Sequence, residues 1–275
     1  MKKFSAYYIN LDSATERMNH INEMWKSQNI PFTVQRFSAI KPDFTLGNLS
    51  IGETGCIFSH LSIWENSVDI DDYLIVIEDD AIICNEFYKQ ICRLIDSQSE
   101  DWDILFLSHT EPINDIKRIG DLLKICKEKE LMTIKKNTTT LNANQWYMYG
   151  TVGYIINKKS KLKMLNSIMR FINGKVYLPI DNLINKASRE NIINCKISFP
   201  YLVGVRTDLI SQMNQRSNEI FDQLHCTLIN LFFIDRSEAD LNHWAEKKFH
   251  EQTSTLELKV ISQIYSTYLN TNLKM

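Results

Sequence analysis

Glycine is scarce in this chain, at 8 of 275 residues, which argues against a fold that holds phosphates on several glycine-rich loops. None of the six cysteines forms a C-x-x-C pair, so zinc-type spacing is absent, and a disulfide scaffold of this size is not expected. The expectation is reduced thiols in a cytoplasmic protein. No uninterrupted apolar run approaches the roughly 20 residues of a membrane span. The N-terminal apolar stretch soon meets Asn10 and Asp12 and is too short for a signal peptide. Charge of one sign is also missing. Lys and Arg number 31 against 33 Asp and Glu, a net charge of −2, so there is no basic footprint for nucleic acid. What is present is ample apolar material: 44% hydrophobic residues, enough for a sizeable core.

The apolar residues are ordered in alternating periods. Residues 4–10 (FSAYYIN) read as a buried strand, and Met18, Ile21, Met24 and Trp25 follow at helical spacing. Residues 31–38 read as a second strand. Ile57, Leu61, Trp64 and Val68 mark a helix over 53–68, and YLIVIE (73–78) is a strand apolar on both sides. A helix at 86–97 and a strand at 102–108 continue the pattern. Residues 109–149 are polar and irregular, with a helix around 118–130. A strand at 150–157, helices at 159–171 and 180–191, and a short strand at 193–199 follow. The alternation predicts an α/β fold with a mostly parallel sheet. From about 217 the chain reads as helices only, which sets a boundary between a domain at 1–215 and a C-terminal helical extension at 216–275.

The segment YLIVIEDDAIIC (73–84) carries the most chemistry. Glu78, Asp79 and Asp80 interrupt an apolar run that resumes at once with Ala81, Ile82 and Ile83. Charges beside a buried strand are costly unless paired or bound to a cation, and adjacent carboxylates repel. In an extended segment Glu78 and Asp80 point to one side and Asp79 to the other. Two oxygen ligands then meet at the carboxyl end of a strand, where α/β sheets bind ligands. Hard oxygen donors suit Mg²⁺ or Mn²⁺. The competing account is an acidic helix cap or a solvated loop.

Four segments resemble glycosyltransferase family 25, the lipopolysaccharide and lipooligosaccharide glycosyltransferases: YYINLDSATERM (7–18), GETGCIFSHLSIWE (52–65), YLIVIEDDAII (73–83), and GTVGYIINKKSKLKML (150–165) with LPID (178–181). The resemblance runs in order through about residues 5–212. It implies a GT-A type nucleotide-sugar-binding fold. It further implies a UDP-sugar donor, with UDP-galactose the first expectation, a divalent metal on the D-x-D-like triplet, and inversion at the anomeric carbon.

On these residues Asp80 is the expected direct metal ligand, and Glu78 binds the metal through water or holds the donor ribose. The acceptor hydroxyl must lose a proton as it attacks, which asks for a carboxylate base. Asp181, at a helix start, is the first candidate and Glu53 its rival; for Asp181 a simple helix cap is the competing role. Donor-binding candidates are Asn10, Leu11, Arg17, Gly55, Ser59, His60, Asp79, Gly150, Thr151 and Gly153. Arg17 would meet the diphosphate as a fixed cation or lie on a solvated helix face. Cys56 is expected to pack. Trp146, Tyr147 and Tyr149 either stack on sugar or belong to the core.

The acceptor class implied is an oligosaccharide or lipid-linked glycan. That raises peripheral contact with the cytoplasmic face of the inner membrane through residues 216–275. Those residues carry as many acids as bases and lack a basic face, which favours a helical cap or a homodimer surface instead. Two alternatives stay open: a transferase using UDP-glucose or UDP-N-acetylglucosamine, and a non-catalytic relative that only binds a glycan or partner.

Overall fold

The computed structural model describes residues 2–98, 101–110, 116–129, 138–147, 149–206, 225–226 and 228–235. A seven-stranded sheet forms the centre, in the order β2-β1-β3-β7-β5-β8-β6. Its strands are β1 (Phe4–Asn10), β2 (Val34–Ser38), β3 (Tyr73–Glu78), β5 (Ile104–Phe106), β6 (Thr139–Asn142), β7 (Gly153–Ile156) and β8 (Cys195–Phe199). β1 is parallel to β2 and β3, and β5 to β8, whereas β7 and β6 run antiparallel to their neighbours. Five of the seven strands thus share one direction, as the alternating pattern predicts. The helices are α1 (Thr15–Lys26), α2 (Ile51–Ser67), α3 (Phe87–Ser97), α4 (Ile116–Glu128), α5 (Ala143–Trp146), α6 (Lys161–Asn173) and α7 (Ile180–Arg189).

The apolar run of β3 is buried on both faces because both are covered. Leu74 and Val76 join one core with Ile57, Leu61 and Trp64 of α2, Met164 and Ile168 of α6, and Leu183 of α7. Ile75 and Ile77 join a second core with Ile21 and Trp25 of α1 and Phe87, Ile91 and Leu94 of α3. The alternation follows from the two-residue period of a strand. α1 crosses from β1 to β2 on one flank, and α2 then returns to β3 on the other. The strand order therefore reverses beside β1, and the carboxyl ends of β1 and β3 meet at the switch point where open α/β sheets form their ligand crevice.

Three short strands were not legible in the sequence. β4 (Ala81–Ile83) pairs antiparallel with β9 (Val203–Val205), which makes strand of the apolar residues after the acidic triplet. β6, with the one-turn α5 after it, lies in the stretch read as irregular; β6 forms the sheet edge against β8. Strands this short carry too few residues for a period to show.

Leu228, Leu231 and Phe232 lie in the first core and Ile234 in the second. Asn230 binds strand β9 through both ends of its amide, accepting from the Val205 N–H at 2.9 Å and donating to the Val205 carbonyl at 2.8 Å. This stretch of the C-terminal region is part of the sheet's packing. The remaining helices expected after residue 217 lie outside the described residues. No helix among the described residues is long and apolar enough to cross a membrane. Cys56, Cys84, Cys92, Cys195 and Cys226 form no disulfide among the described residues.

Candidate active site

The acidic triplet spans the end of β3 and the turn into β4, in the crevice where the strand order reverses. Its three carboxylates have three different surroundings. Asp79 turns toward β1 and α1 and is buried. One oxygen accepts from Arg17 Nη1 at 2.8 Å, the other from Asn10 Nδ2 at 2.7 Å. Asn10 and Arg17, both expected at the donor, are thus occupied in holding Asp79. Asn10 also accepts from Arg36 Nε at 3.0 Å, which ties β2 to the same corner. Leu11 is half-buried, and its carbonyl accepts the Ala14 N–H as the chain turns into α1.

Glu78 turns toward α2 and β7. Its Oε1 accepts from the Thr151 hydroxyl at 2.7 Å and lies 3.7 Å from His60 Nε2. Burial acts to raise the Glu78 carboxyl, but the His60 ring, the Thr151 hydroxyl and the Arg17 charge outweigh it, and the net direction is downward. His60 is fully buried, with Nδ1 2.7 Å from the Tyr154 hydroxyl.

Asp80 has the fewest partners. Its Oδ2 stands 3.9 Å from Arg17 Nη1, and its Oδ1 is buried with no hydrogen-bond partner among the described residues. Burial, and then the Glu78 charge, push its carboxyl up to about 7. A buried carboxylate oxygen with no donor is costly as it stands. A divalent cation would satisfy it, so the residues present fit a hard metal held by Asp80 with Glu78 beside it. The backbone around Asp80 is pinned, since its carbonyl accepts the Arg206 N–H at 2.9 Å.

Asp181 sits in the first turn of α7. Its Oδ2 accepts the Gly150 N–H at 3.0 Å and its Oδ1 the Asn182 N–H at 2.8 Å. Burial raises this carboxyl despite those two bonds, and the Glu78 charge adds to the rise. Asp181 is not the cap of α7, which is Pro179; one oxygen accepts an N–H of the helix's first turn and the other reaches across to the loop before β7. Gly150 adopts φ +100°, and a Cβ there would meet Thr110 Oγ1 at 2.8 Å, so glycine is required at this turn.

Glu53, the rival base, lies in a capping box. Its carboxylate accepts the Ser50 N–H at 2.7 Å while its own N–H donates to Ser50 Oγ at 3.1 Å. Gly55 and Ser59 face residue 40. A Cβ on Gly55 would come within 2.2 Å of the Ile40 carbonyl, and Ser59 Oγ accepts the Ile40 N–H at 2.8 Å. Gly153 faces Ile77 and Val203, each 3.0 Å from where a Cβ would stand. These three serve packing around the crevice. Tyr147 stacks on Phe106 with centroids 4.0 Å apart and is a core residue.

Sequence reasoning missed Tyr154 and Trp64, which support His60 from behind, and Arg206. Periodicity marks Trp64 only as an apolar helix position, Tyr154 reads as part of the strand start at 150–157, and nothing local links residues 90 positions apart.

The profile of glycosyltransferase family 25 (LPS biosynthesis protein) matches residues 4–184. The chain belongs to glycosyltransferase family 25. Among the proteins it is similar to, the lipooligosaccharide biosynthesis protein lic2B of Haemophilus influenzae is 26% identical over 206 residues, covering 67% of this chain and 72% of its own. A putative glycosyltransferase of Haemophilus influenzae is 35% identical over 194 residues, covering 65% and 61%. Human procollagen galactosyltransferase 2 is 24% identical over 165 residues; the match spans 56% of this chain and only 23% of that protein. A solved galactosyltransferase, LgtC with donor and acceptor sugar analogues, is 12% identical at a TM-score of 0.33, covering 66% of this chain and 69% of its own.

Proposed function

We propose that this family 25 glycosyltransferase is a metal-dependent, inverting hexosyltransferase that moves galactose from UDP-galactose to a bacterial surface glycan of the lipooligosaccharide type. The observation that carries the reading is the unpaired, buried Oδ1 of Asp80 at the strand-order reversal, with Glu78 held beside it. The names of the galactosyltransferase relatives and of lic2B support the sugar and the acceptor class.

Asp80 and Glu78 would hold Mn²⁺ or Mg²⁺, which when bound offsets the charge that builds on a departing diphosphate. Asp79, clamped by Arg17 and Asn10, keeps the triplet's backbone in place between them. Asp181 takes the proton from the acceptor hydroxyl. Burial raises its carboxyl toward the working pH, which strengthens it as a base. Both carboxylates accept backbone N–H groups; Asp181 is favoured because it binds Gly150, next to the Thr151 that holds Glu78, whereas Glu53 closes the capping box of α2.

Calorimetry with UDP in the presence and absence of Mn²⁺ tests the reading, followed by transfer assays with UDP-galactose, UDP-glucose and UDP-N-acetylglucosamine resolved by product mass. Metal-dependent UDP binding that disappears in Asp80→Ala, with a melting temperature no lower than wild type, is the expected result. Full transferase activity in that variant would sink the assignment, and absence of UDP binding in the wild type would favour a non-catalytic glycan binder.

A further inference from the structure

Behind Glu78 lies a line of buried polar groups to which the transfer mechanism assigns no role. His60 and Trp64 stand one turn apart on α2, and both reach the hydroxyl of Tyr154 on β7. Trp64 Nε1 is 2.8 Å from that oxygen and His60 Nδ1 is 2.7 Å from it. All three side chains are fully buried.

The chemistry of each group sets the direction of the chain. An indole N–H can only donate, so the Tyr154 oxygen accepts from Trp64. The phenol's own proton then has one available acceptor among the described residues, Nδ1 of His60. The opposite polarity, Nδ1–H donating to the phenol, would leave the tyrosine proton buried with no acceptor, which is unfavourable. A neutral imidazole that accepts at Nδ1 carries its proton at Nε2. That nitrogen has no hydrogen-bond partner among the described residues and faces Glu78 Oε1 at 3.7 Å. The same carboxylate oxygen accepts from Thr151, and Glu78 Oε2 carries no hydrogen bond from the described residues.

We propose that Trp64, Tyr154 and His60 form a one-directional relay that locks the His60 ring with Nε2–H toward Glu78, making His60 a positioning residue that turns the other oxygen of Glu78 into the crevice. Its functional consequence rests on the reading of Glu78 as a donor-side carboxylate; the locked tautomer does not. The relay also decides against another use of this corner. Ligand atoms of Cys56, His60 and Glu78 lie within 4.8 Å of one another and could hold a metal ion, but only if Nε2 gave up its proton.

Two-bond ¹H–¹⁵N spectra of histidine-labelled full-length protein read the tautomer directly. The wild type is expected to show His60 protonated at Nε2. Tyr154→Phe, which removes the proton that Nδ1 accepts, is expected to lose the preference, whereas Trp64→Phe, which leaves that proton in place, should keep it. A wild-type ring protonated at Nδ1, or a preference unchanged in a folded Tyr154→Phe protein, would overturn the relay; should Tyr154→Phe fail to fold, the wild-type spectrum alone decides. In the transferase assay His60→Leu should raise the donor KM about 10- to 100-fold, the range seen when a group that orients a ligating side chain is removed. His60→Gln, whose amide N–H reaches toward the same place, should restore most of it with kcat little changed. Equal KM in the wild type and His60→Leu would remove the positioning role. A wild type with no transferase activity but with the Nε2–H tautomer would instead count against the transfer mechanism and leave the relay standing.

Discussion

Asp79 and Arg17, 62 residues apart in the chain, form a buried ion pair with Oδ1 and Nη1 separated by 2.8 Å, and each side chain is only 9% exposed. The acid at the centre of the triplet is therefore the one withdrawn from the crevice. Breaking such a pair strands a charge away from water, at about 3–5 kcal/mol. Arg17→Met should lower unfolding free energy by about that amount in urea titrations. The double variant Arg17→Met with Asp79→Leu should recover much of the loss. An Arg17→Met protein as stable as wild type would mean that Asp79 does not depend on this partner.

Asp181 and Glu53 can be separated by their different commitments. Asp181→Asn is expected to reduce kcat by about 10²–10⁴-fold, the usual worth of a positioned base, while calorimetry still shows Mn²⁺-dependent UDP binding. Glu53→Gln should leave turnover close to wild type, and Glu53→Ala should cost about 1 kcal/mol of stability through the lost capping box. The reverse pattern of rates would move the base to Glu53.

Gly55 gives a prediction whose sign runs against intrinsic propensity. In an open helix Gly→Ala gains about 1 kcal/mol. Here the new Cβ would stand 2.2 Å from the Ile40 carbonyl, so α2 must shift from residue 40 or the loop must yield. Gly55→Ala should destabilise by about 1–3 kcal/mol, visible as a lower melting temperature.

His109 makes stability depend on acid. Burial, and secondarily Arg118, push its imidazole down to about 3, from an ordinary value of 6.5. The unfolded chain therefore binds a proton that the folded one refuses between those values, and stability falls as pH drops through that window. By pH 5 the loss is about 2 kcal/mol. Urea titrations at pH 7 and pH 5 should show it in the wild type, and His109→Gln should remove that share of the difference. An equal drop in the variant would assign the acid sensitivity to other groups.

The sheet was largely legible because its signals are local. The unbroken apolar run of Tyr73–Glu78 announces a strand covered on both faces, and the i, i+4, i+7 spacing in α2 announces the helix that covers one of them. β4, β6 and β9 were not legible, since three or four residues do not make a period and their pairing partners lie far away in the chain. In the site, the extended reading foretold that Glu78 and Asp79 would face apart; they do, one meeting Thr151 and the other Arg17, but Asp79 and Asp80 lie in the turn between β3 and β4 rather than in a strand.

The sequence by itself determined an α/β protein with three carboxylates at the end of a buried strand, because hydrophobic period and charge placement are written in neighbouring residues. Only the tertiary structure decided what each carboxylate does. Asp79 is neutralised from β1 and α1, Glu78 is held from β7 and α2, and Asp80 Oδ1 is left buried without a donor. Those partners come from segments many positions away, brought in by strand register and helix packing, and a carboxylate's chemistry is set by the charges and donors within a few ångströms of it rather than by its neighbours in the chain.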